Sequence, residues 1–315
     1  WSSDVCSSDL TRVRTLVNKA FSARMVEALR EPVRRIMTHL ADGIDGAGEV
    51  DLLATVAEPL PVEIIAELLG IPESDRHQLR PWSADICRMY ELHPDEEDAR
   101  VAVAAAREFS DYLRALARER QRAPREDLIT ALAQVAVEGE RLTEDELVGT
   151  CVLLLNAGHE ATVNTTGNGW WALFRNPDQL ARLRADRSLV PTAVEELLRY
   201  EPSSPMFERW VLEDTEIGGV EVPKGAELGL LFISANRDAT VFEEPDRMDV
   251  GRVENPHLSF GAGVHFCLGS PLARIELQTS FGMLLERFPH MELVEEPRWK
   301  PNFVLRGLEE LRVRV

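Results

Sequence analysis

Cysteines are scarce in this sequence, and none of them are paired by spacing. The four cysteines, at positions 6, 87, 151 and 267, stand far apart in 315 residues. Neither a disulfide framework nor a zinc site with closely spaced ligands is therefore indicated. Unpaired cysteines are typical of a reducing compartment, so the sequence predicts a cytoplasmic location.

Positive charge is also in short supply. The chain has 35 Lys and Arg against 54 Asp and Glu, a net charge of -19, which disfavours nucleic acids and anionic membrane surfaces as partners. No run of about 18 apolar residues could span a membrane, and no signal peptide is visible. With 44% hydrophobic and 28% charged residues, the composition is that of a globular protein with a substantial core.

Glycine is concentrated around one cysteine, in the segment from Leu258 to Gly269 that contains Cys267. Its three glycines let the backbone turn tightly and let a large flat group approach closely. The residues from Pro271 to Phe288 predict a helix that stops before Pro289. Cys267 then precedes a helix N-terminus, where unpaired N–H groups and the helix dipole favour a thiolate. Such a thiolate suits an axial ligand of haem iron.

Two other interpretations apply to Cys267 taken alone. A lone cysteine is often a small buried hydrophobic residue. It can also be a nucleophile with His265 as base, but the two side chains lie on opposite sides of an extended segment and no carboxylate stands nearby to orient the histidine.

The full spacing Phe260-Gly-x-Gly-x-His-x-Cys-x-Gly269 resembles the cysteine loop of the cytochromes P450 of bacterial type, which are haem-thiolate monooxygenases. The resemblance implies a mostly α-helical fold with a minor β-sheet. It also implies heme b (iron protoporphyrin IX) as cofactor and Cys267 as the iron ligand. Phe260, Gly261 and Gly269 would then contact the haem.

A long central helix is the next predicted element. Thr143 and Glu146 form a capping box, and no proline follows before Pro177, so a helix of about 30 residues is expected. Gly158 lies in its middle, where glycine costs on the order of 1 kcal/mol. Without the resemblance, Gly158 indicates a close helix contact and Glu160 a solvated charge.

The resemblance gives this stretch of helix a catalytic role. It implies that Ala157 and Gly158 lie over the haem and leave room for dioxygen, and that Glu160 serves proton delivery. Most family members carry a threonine where this chain has Ala161, which has no hydroxyl to donate. Thr162 is rotated by about 100° around the helix. Either a substrate hydroxyl or ordered water completes the relay, or reduced oxygen is lost as peroxide.

Three cationic residues match the family positions that bind haem propionates: Arg14, Arg209 and His265. Buried carboxylates need such partners, although each arginine alone reads as an ordinary surface charge. Family members often place a histidine before the Thr-x-x-Arg segment, where this chain has Leu10.

The pair Glu196 and Arg199 matches the Glu-x-x-Arg of the family. Residues three apart share a helix face and can meet, whereas an exposed pair of this kind would contribute little. The resemblance implies a structural role behind the haem.

Apolar residues are predicted to line a substrate pocket, although packing alone would explain several of them. The residues in question are Met89, Leu154, Met206, Phe207, Phe303 and Val304. They indicate a small, mostly apolar substrate.

One domain is predicted from 11 to 315. Residues 1–10 show no helical or strand period and are interpreted as a possible non-native leader, and Cys6 within them is given no role. The family's first helices and part of its sheet would precede Thr11, so the resemblance implies an N-terminally truncated form of the fold. Helices are predicted at Thr11–Phe21, Ser22–Leu40, Pro61–Leu69, Glu73–Glu91, Asp95–Arg122 and Pro191–Tyr200, strands between Val211 and Phe232, and a final strand pair between Trp299 and Val315.

The implied activity is insertion of one oxygen atom from dioxygen into a C–H or C=C bond. Electrons would come from NAD(P)H through a ferredoxin reductase and a ferredoxin. The alternative is a haem-binding protein without turnover or an inactive fragment. A peroxygenase that uses hydrogen peroxide directly is disfavoured by the acid at Glu160.

Overall fold

A computed structural model describes residues 3–315, with side chains from residue 9 onward. Helices dominate this part of the chain, as predicted. Their bounds are α1 Ser3–Ala20, α2 Ala23–Ala28, α3 Arg30–Ile44, α4 Pro59–Leu69, α5 Leu79–Cys87, α6 Glu96–Arg122, α7 Leu128–Gln134, α8 Glu144–Arg175, α9 Pro177–Ala185, α10 Val190–Tyr200, α11 Phe232–Ala235 and α12 Ser270–Arg287. None of the helices within residues 3–315 is long and apolar enough to cross a membrane.

Within residues 3–315 the strands are short and form three antiparallel sheets. They are β1 Glu49–Asp51, β2 Met206–Trp210, β3 Thr215–Ile217, β4 Val220–Val222, β5 Glu227–Leu231, β6 Glu292–Leu293 and β7 Arg312–Arg314. The sheets have the orders β1-β7-β6, β2-β5 and β3-β4. The predicted fold class, mostly helical with a minor sheet, is confirmed.

Helix α8 is the central element. It has 32 residues and begins with the predicted capping box, in which Thr143 and Glu146 satisfy each other's backbone N–H groups. It packs against α4, α5, α6 and α10. Trp170 near its end is fully buried and stacks on Phe281 of α12 at 5.1 Å between ring centroids. The core therefore surrounds α8, which fixes the position of its middle turns.

The prediction of one continuous helix from Ser22 to Leu40 is wrong. It is divided between α2 and α3, which starts at Arg30 and extends to Ile44. Pro32 has no N–H to continue the hydrogen-bond ladder across the junction. The helix predicted over Glu73–Glu91 is likewise divided: a 3₁₀ turn covers Glu73–Gln78, α5 follows, and a second turn covers Arg88–Tyr90.

The predicted final strand pair is wrong. Within Trp299–Val315 there is a single bridge from Trp299 to Leu308. Strand β7 pairs instead with β1 and β6, because its partners lie outside that segment and are too short to be recognised by a period of two. The strand region also begins earlier than Val211, at Met206.

Helix α1 begins at Ser3, although residues 3–10 show no helical period in sequence. Residues 1 and 2 and the side chain of Cys6 lie outside the described residues, so the leader and the absence of a role for Cys6 stay predictions.

One buried carboxylate makes stability depend on pH. Glu276 of α12 is 2% exposed, and burial raises its pKa from 4.5 to about 8. The folded state thus holds a proton that the unfolded state releases, so stability falls as pH rises from about 5 to about 9. At about pH 5 we expect Glu276→Gln to have the same free energy of unfolding as the wild type. At about pH 9 its free energy of unfolding should be higher than that of the wild type, by on the order of a few kcal/mol. Urea unfolding at both pH values measures this, and parallel pH profiles would contradict it.

Candidate active site around Cys267

The cysteine loop is closed by its own backbone. The N–H of Cys267 donates to the carbonyl of Phe260 at 2.8 Å, and the N–H of Gly261 donates to that of Leu258 at 2.8 Å. Gly261 and Gly263 have φ of +67° and +62°, a left-handed conformation that costs glycine little and other residues more. The glycine spacing therefore sets the turn that presents Cys267 just before α12.

The surroundings of the sulfur fit a metal-bound thiolate. Burial raises the pKa of the Cys267 thiol, while the backbone N–H groups of Gly269 and Ser270, and more distantly Arg14 and Arg274, lower it. Burial outweighs the helix N-terminus, contrary to the expectation that the loop by itself favours the thiolate. Metal coordination removes the proton outright, and the N–H donors then stabilise the anion.

Arg14, Arg209 and His265 come together beside this loop. Burial and then the charges of Arg209 and Arg14 lower the pKa of His265. Arg14 donates to the backbone carbonyl of Phe266 and Arg209 to that of Glu208, and among the described side chains neither has a carboxylate within ion-pair distance. In a chain with a net charge of -19, two uncompensated arginines at one site suit a dianionic group such as the two haem propionates.

Large apolar side chains are exposed on the cysteine loop and on the two-stranded sheet that carries Arg209. Val264 and Phe266 belong to the loop itself, Phe207 lies on β2, and its cross-strand partner Leu230 lies on β5. Phe260 packs against Phe266 at 6.4 Å between ring centroids. A large apolar group would cover these side chains. Met206, by contrast, is buried at 9% exposure, because neighbouring residues on a strand point to opposite faces.

One face of helix α8 is not covered by other elements at Ala157, which is exposed; we call it the open face of α8. One turn earlier on this face is Leu153, 58% exposed, whereas the predicted pocket residue Leu154 is half-buried against the core. Sequence reasoning missed Leu153, although its i,i+4 spacing from Ala157 could have found it. Gly158 faces α4, since a Cβ there would lie 3.0 Å from Ile65 Cδ1. This is the close helix contact that the sequence indicates when the family resemblance is left aside.

Glu160 lies among polar side chains from three segments. Its carboxylate is 3.9 Å from Lys300 Nζ and 3.8 Å from His159 Nδ1. Burial lowers the pKa of His159 to about 4, so this histidine is neutral, and its Nδ1 lies 3.1 Å from Ser83 Oγ. Lys300 is separated from Glu160 by much of the sequence, and nothing in the sequence pointed to it.

Ala161 and Thr162 differ in environment. Ala161 is half-exposed next to the open face of α8, whereas Thr162 is buried at 6% exposure. The hydroxyl of Thr162 therefore does not occupy the place of the missing threonine. The carbonyl of Ala161 accepts a hydrogen bond from Thr165 at 2.7 Å.

Glu196 and Arg199 form a fully buried ion pair. Two parallel hydrogen bonds of 2.8 Å join the guanidinium to the carboxylate. Arg199 also donates to the carbonyl of Asn236, and the side chain of Asn236 accepts from the N–H of Leu258, both at 2.8 Å. The pair is thereby connected to the first residue of the cysteine loop. Asn236 was missed by sequence reasoning.

A second network braces the loop from α10. Glu195 accepts two hydrogen bonds from Arg274 of α12 and lies 3.1 Å from His257 Nε2. These partners lower the pKa of Glu195 to about 2 against the opposing effect of burial, so the carboxylate is ionised. The guanidinium of Arg274 lies over the ring of Phe260 at 4.5 Å.

The segment that carries Met89 is joined to the segment that carries Phe303 and Val304 by hydrogen bonds to Glu91. Met89 and Phe303 are exposed and Val304 is half-buried. Glu91 joins the two segments, since its carboxylate accepts the backbone N–H groups of Phe303 and Val304.

Comparison with known proteins agrees with this geometry. The family model described as Cytochrome P450 matches residues 82–308. Cytochrome P450 107B1 of Saccharopolyspora erythraea is 43% identical over 310 residues, which are 97% of this chain and 75% of that protein.

The similar solved structures are also cytochromes P450. The structure of P450BioI in complex with an acyl carrier protein ligated to hexadec-9Z-enoic acid has a TM-score of 0.93 and 39% identity, covering 98% of this chain and 80% of that one. The cytochrome P450 PksS of Bacillus subtilis 168 has a TM-score of 0.93 and 38% identity, with coverages of 98% and 79%.

Proposed function

The chain belongs to the cytochrome P450 family, and on that premise we propose that it oxidises a small, mostly apolar molecule with electrons from NAD(P)H, a ferredoxin reductase and a ferredoxin. Members of the family are monooxygenases that bind heme b through a cysteine thiolate. The single observation that carries the proposal is the loop around Cys267, with N–H groups directed at its sulfur and uncompensated cations beside it.

The residues present fit the haem. Cys267 would bind the iron, Arg14, Arg209 and His265 would bind the propionates, and Ala157 would face the other side of the macrocycle. Phe260, Gly261 and Gly269 would contact the ring from the cysteine loop. When bound, the haem supplies the activation of dioxygen, which amino-acid side chains cannot carry out.

Proton supply falls to Glu160. Its carboxylate lies 3.9 Å from Nζ of the half-exposed Lys300, and through this side chain protons from solvent would reach it. Ala161 offers no hydroxyl to pass them on. A hydroxyl of the substrate or an ordered water would complete the path beyond Glu160.

We propose an apolar substrate because large apolar side chains are exposed on the segments that the family resemblance assigns to the pocket. Leu153, Phe207, Leu230 and Phe303 are all exposed and large, which suits an apolar ligand. An external ferredoxin is the usual donor for bacterial members of the family. A cytoplasmic location accords with the unpaired Cys87, Cys151 and Cys267.

The proposal is tested on the purified haem protein with a surrogate ferredoxin and its reductase. Two probes come from relatives: hexadec-9-enoic acid, carried by the acyl carrier protein bound to P450BioI, and testosterone, bound to CYP109E1 of Bacillus megaterium. We expect an oxygenated product of at least one probe with NADH, and far less with hydrogen peroxide alone.

Two other outcomes of this assay would indicate a different function. Product formation with peroxide but not with NADH would indicate a peroxygenase. A haem-thiolate spectrum with no product from either oxidant, across a panel of apolar probes, would indicate a haem-binding protein without turnover and overturn the proposal.

A further inference from the structure

Glu91 joins two segments that are far apart in sequence. Its carboxylate accepts the backbone N–H groups of Phe303 at 3.0 Å, Val304 at 3.4 Å and Leu305 at 3.4 Å. Three successive N–H groups directed at one anion form a concave binding site for it. Glu91 itself follows the turn Arg88–Tyr90 that ends α5.

The C-terminal loop is firmly held at its base. The backbone N–H of Lys300 donates to the carbonyl of Gly307 at 2.9 Å, and the backbone N–H of Arg306 donates to that of Ser203 at 2.8 Å. The guanidinium of Arg306 stacks on Trp299 at 3.6 Å. The two ends of the loop are therefore fixed to the body of the protein.

The tip of the loop, residues 301–305, is held differently. Within the described residues its hydrogen bonds to the rest of the protein are the three to Glu91. Glu91 has no arginine or lysine partner within ion-pair distance among the described side chains, while the nearby Arg88 pairs with Asp85 and Asp98. Separation of the tip from Glu91 thus breaks backbone contacts and no ion pair.

Apolar side chains lie on both sides of this contact. Met89, Tyr90 and Leu92 flank Glu91 and are 41%, 37% and 39% exposed, and Phe303 on the opposite side is 45% exposed. Two apolar walls joined by one polar contact resemble an entrance for an apolar ligand, because the contact can open without loss of core packing.

We propose that Glu91 is a latch: its carboxylate holds the loop tip 301–305 against the segment 88–92, and its release opens a path for apolar ligands to and from the pocket. This rests on the proposed function for the nature of the ligand. Glu91 acts here as a positioning residue and touches no reacting atom.

The first test is amide hydrogen exchange, which needs no turnover. In Glu91→Ala, exchange in the peptide that contains Phe303–Leu305 is expected to accelerate by about tenfold or more, since hydrogen bonds to a charged acceptor are lost. Glu91→Gln, which keeps one acceptor oxygen, falls between this variant and the wild type. Glu97→Ala is the matched control: it removes an exposed charge six residues away that pairs with Arg100. Exchange equal to the wild type in Glu91→Ala would overturn the latch.

The second test measures ligand passage with clotrimazole, a bulky apolar azole that binds haem iron, by stopped-flow absorbance. Both its association and its dissociation rate constants are expected to rise about tenfold in Glu91→Ala, with a smaller change in Kd. Imidazole, which is small, should change much less. Faster exchange with unchanged clotrimazole rates would show a purely structural contact. Absence of a thiolate spectrum would count against the proposed function alone, because the exchange result is read without it.

Discussion

Cys267→Ala is expected to abolish the red-shifted Soret band of the reduced, carbon monoxide-bound protein. That band reports a thiolate opposite the carbon monoxide, and alanine has no atom that could bind iron. Loss of the ligand should also remove nearly all oxygenation of a probe substrate. The measurement is the difference spectrum of the variant after haem reconstitution, with haem content determined separately.

Cys87 and Cys151 provide matched controls for this substitution. Both are buried, and burial raises the pKa of each thiol to about 12, so neither is poised to become a thiolate. Cys87→Ala and Cys151→Ala should retain the red-shifted band. Its persistence in Cys267→Ala, or its loss in one of the controls, would place the iron ligand elsewhere.

Arg199→Ala is expected to yield little soluble haem protein. The guanidinium and the carboxylate of Glu196 are both fully buried. In the variant Glu196 loses its two hydrogen bonds to Arg199 and keeps as its cationic partner only Arg252, at the longer distance of 3.2 Å, so we expect a cost of about 3 kcal/mol, the lower end for breaking a buried pair. Arg199 also holds Asn236, which binds the start of the cysteine loop, so haem loading should fall more than helix content. Soluble yield, haem content and urea unfolding measure these effects.

The matched control has the same i,i+3 spacing on the protein surface. Arg100 pairs with Glu97 on α6, where both side chains are exposed, and such pairs contribute little to stability. Arg100→Ala should therefore behave as the wild type in yield and haem content. Normal haem loading in Arg199→Ala would show that the buried pair is dispensable.

The local features of this protein were readable from its sequence. The capping box at Thr143 and the long helix that follows depend on residues a few positions apart, and so does the contact of Glu196 with Arg199. The glycine spacing before Cys267 indicated a tight turn, and the turn is closed by hydrogen bonds within that same segment. Such features are predictable because residues near in sequence must be near in space.

Tertiary structure alone decided how distant segments meet. The placement of Lys300 beside Glu160 and of Glu91 under the tip 301–305 joins residues that lie far apart in the chain. The choice of β1 as partner of β7 and the exposure of Leu153 in place of Leu154 are of the same kind. These contacts follow from packing around α8, which no local pattern encodes, because the free energy that selects them is shared by the whole core.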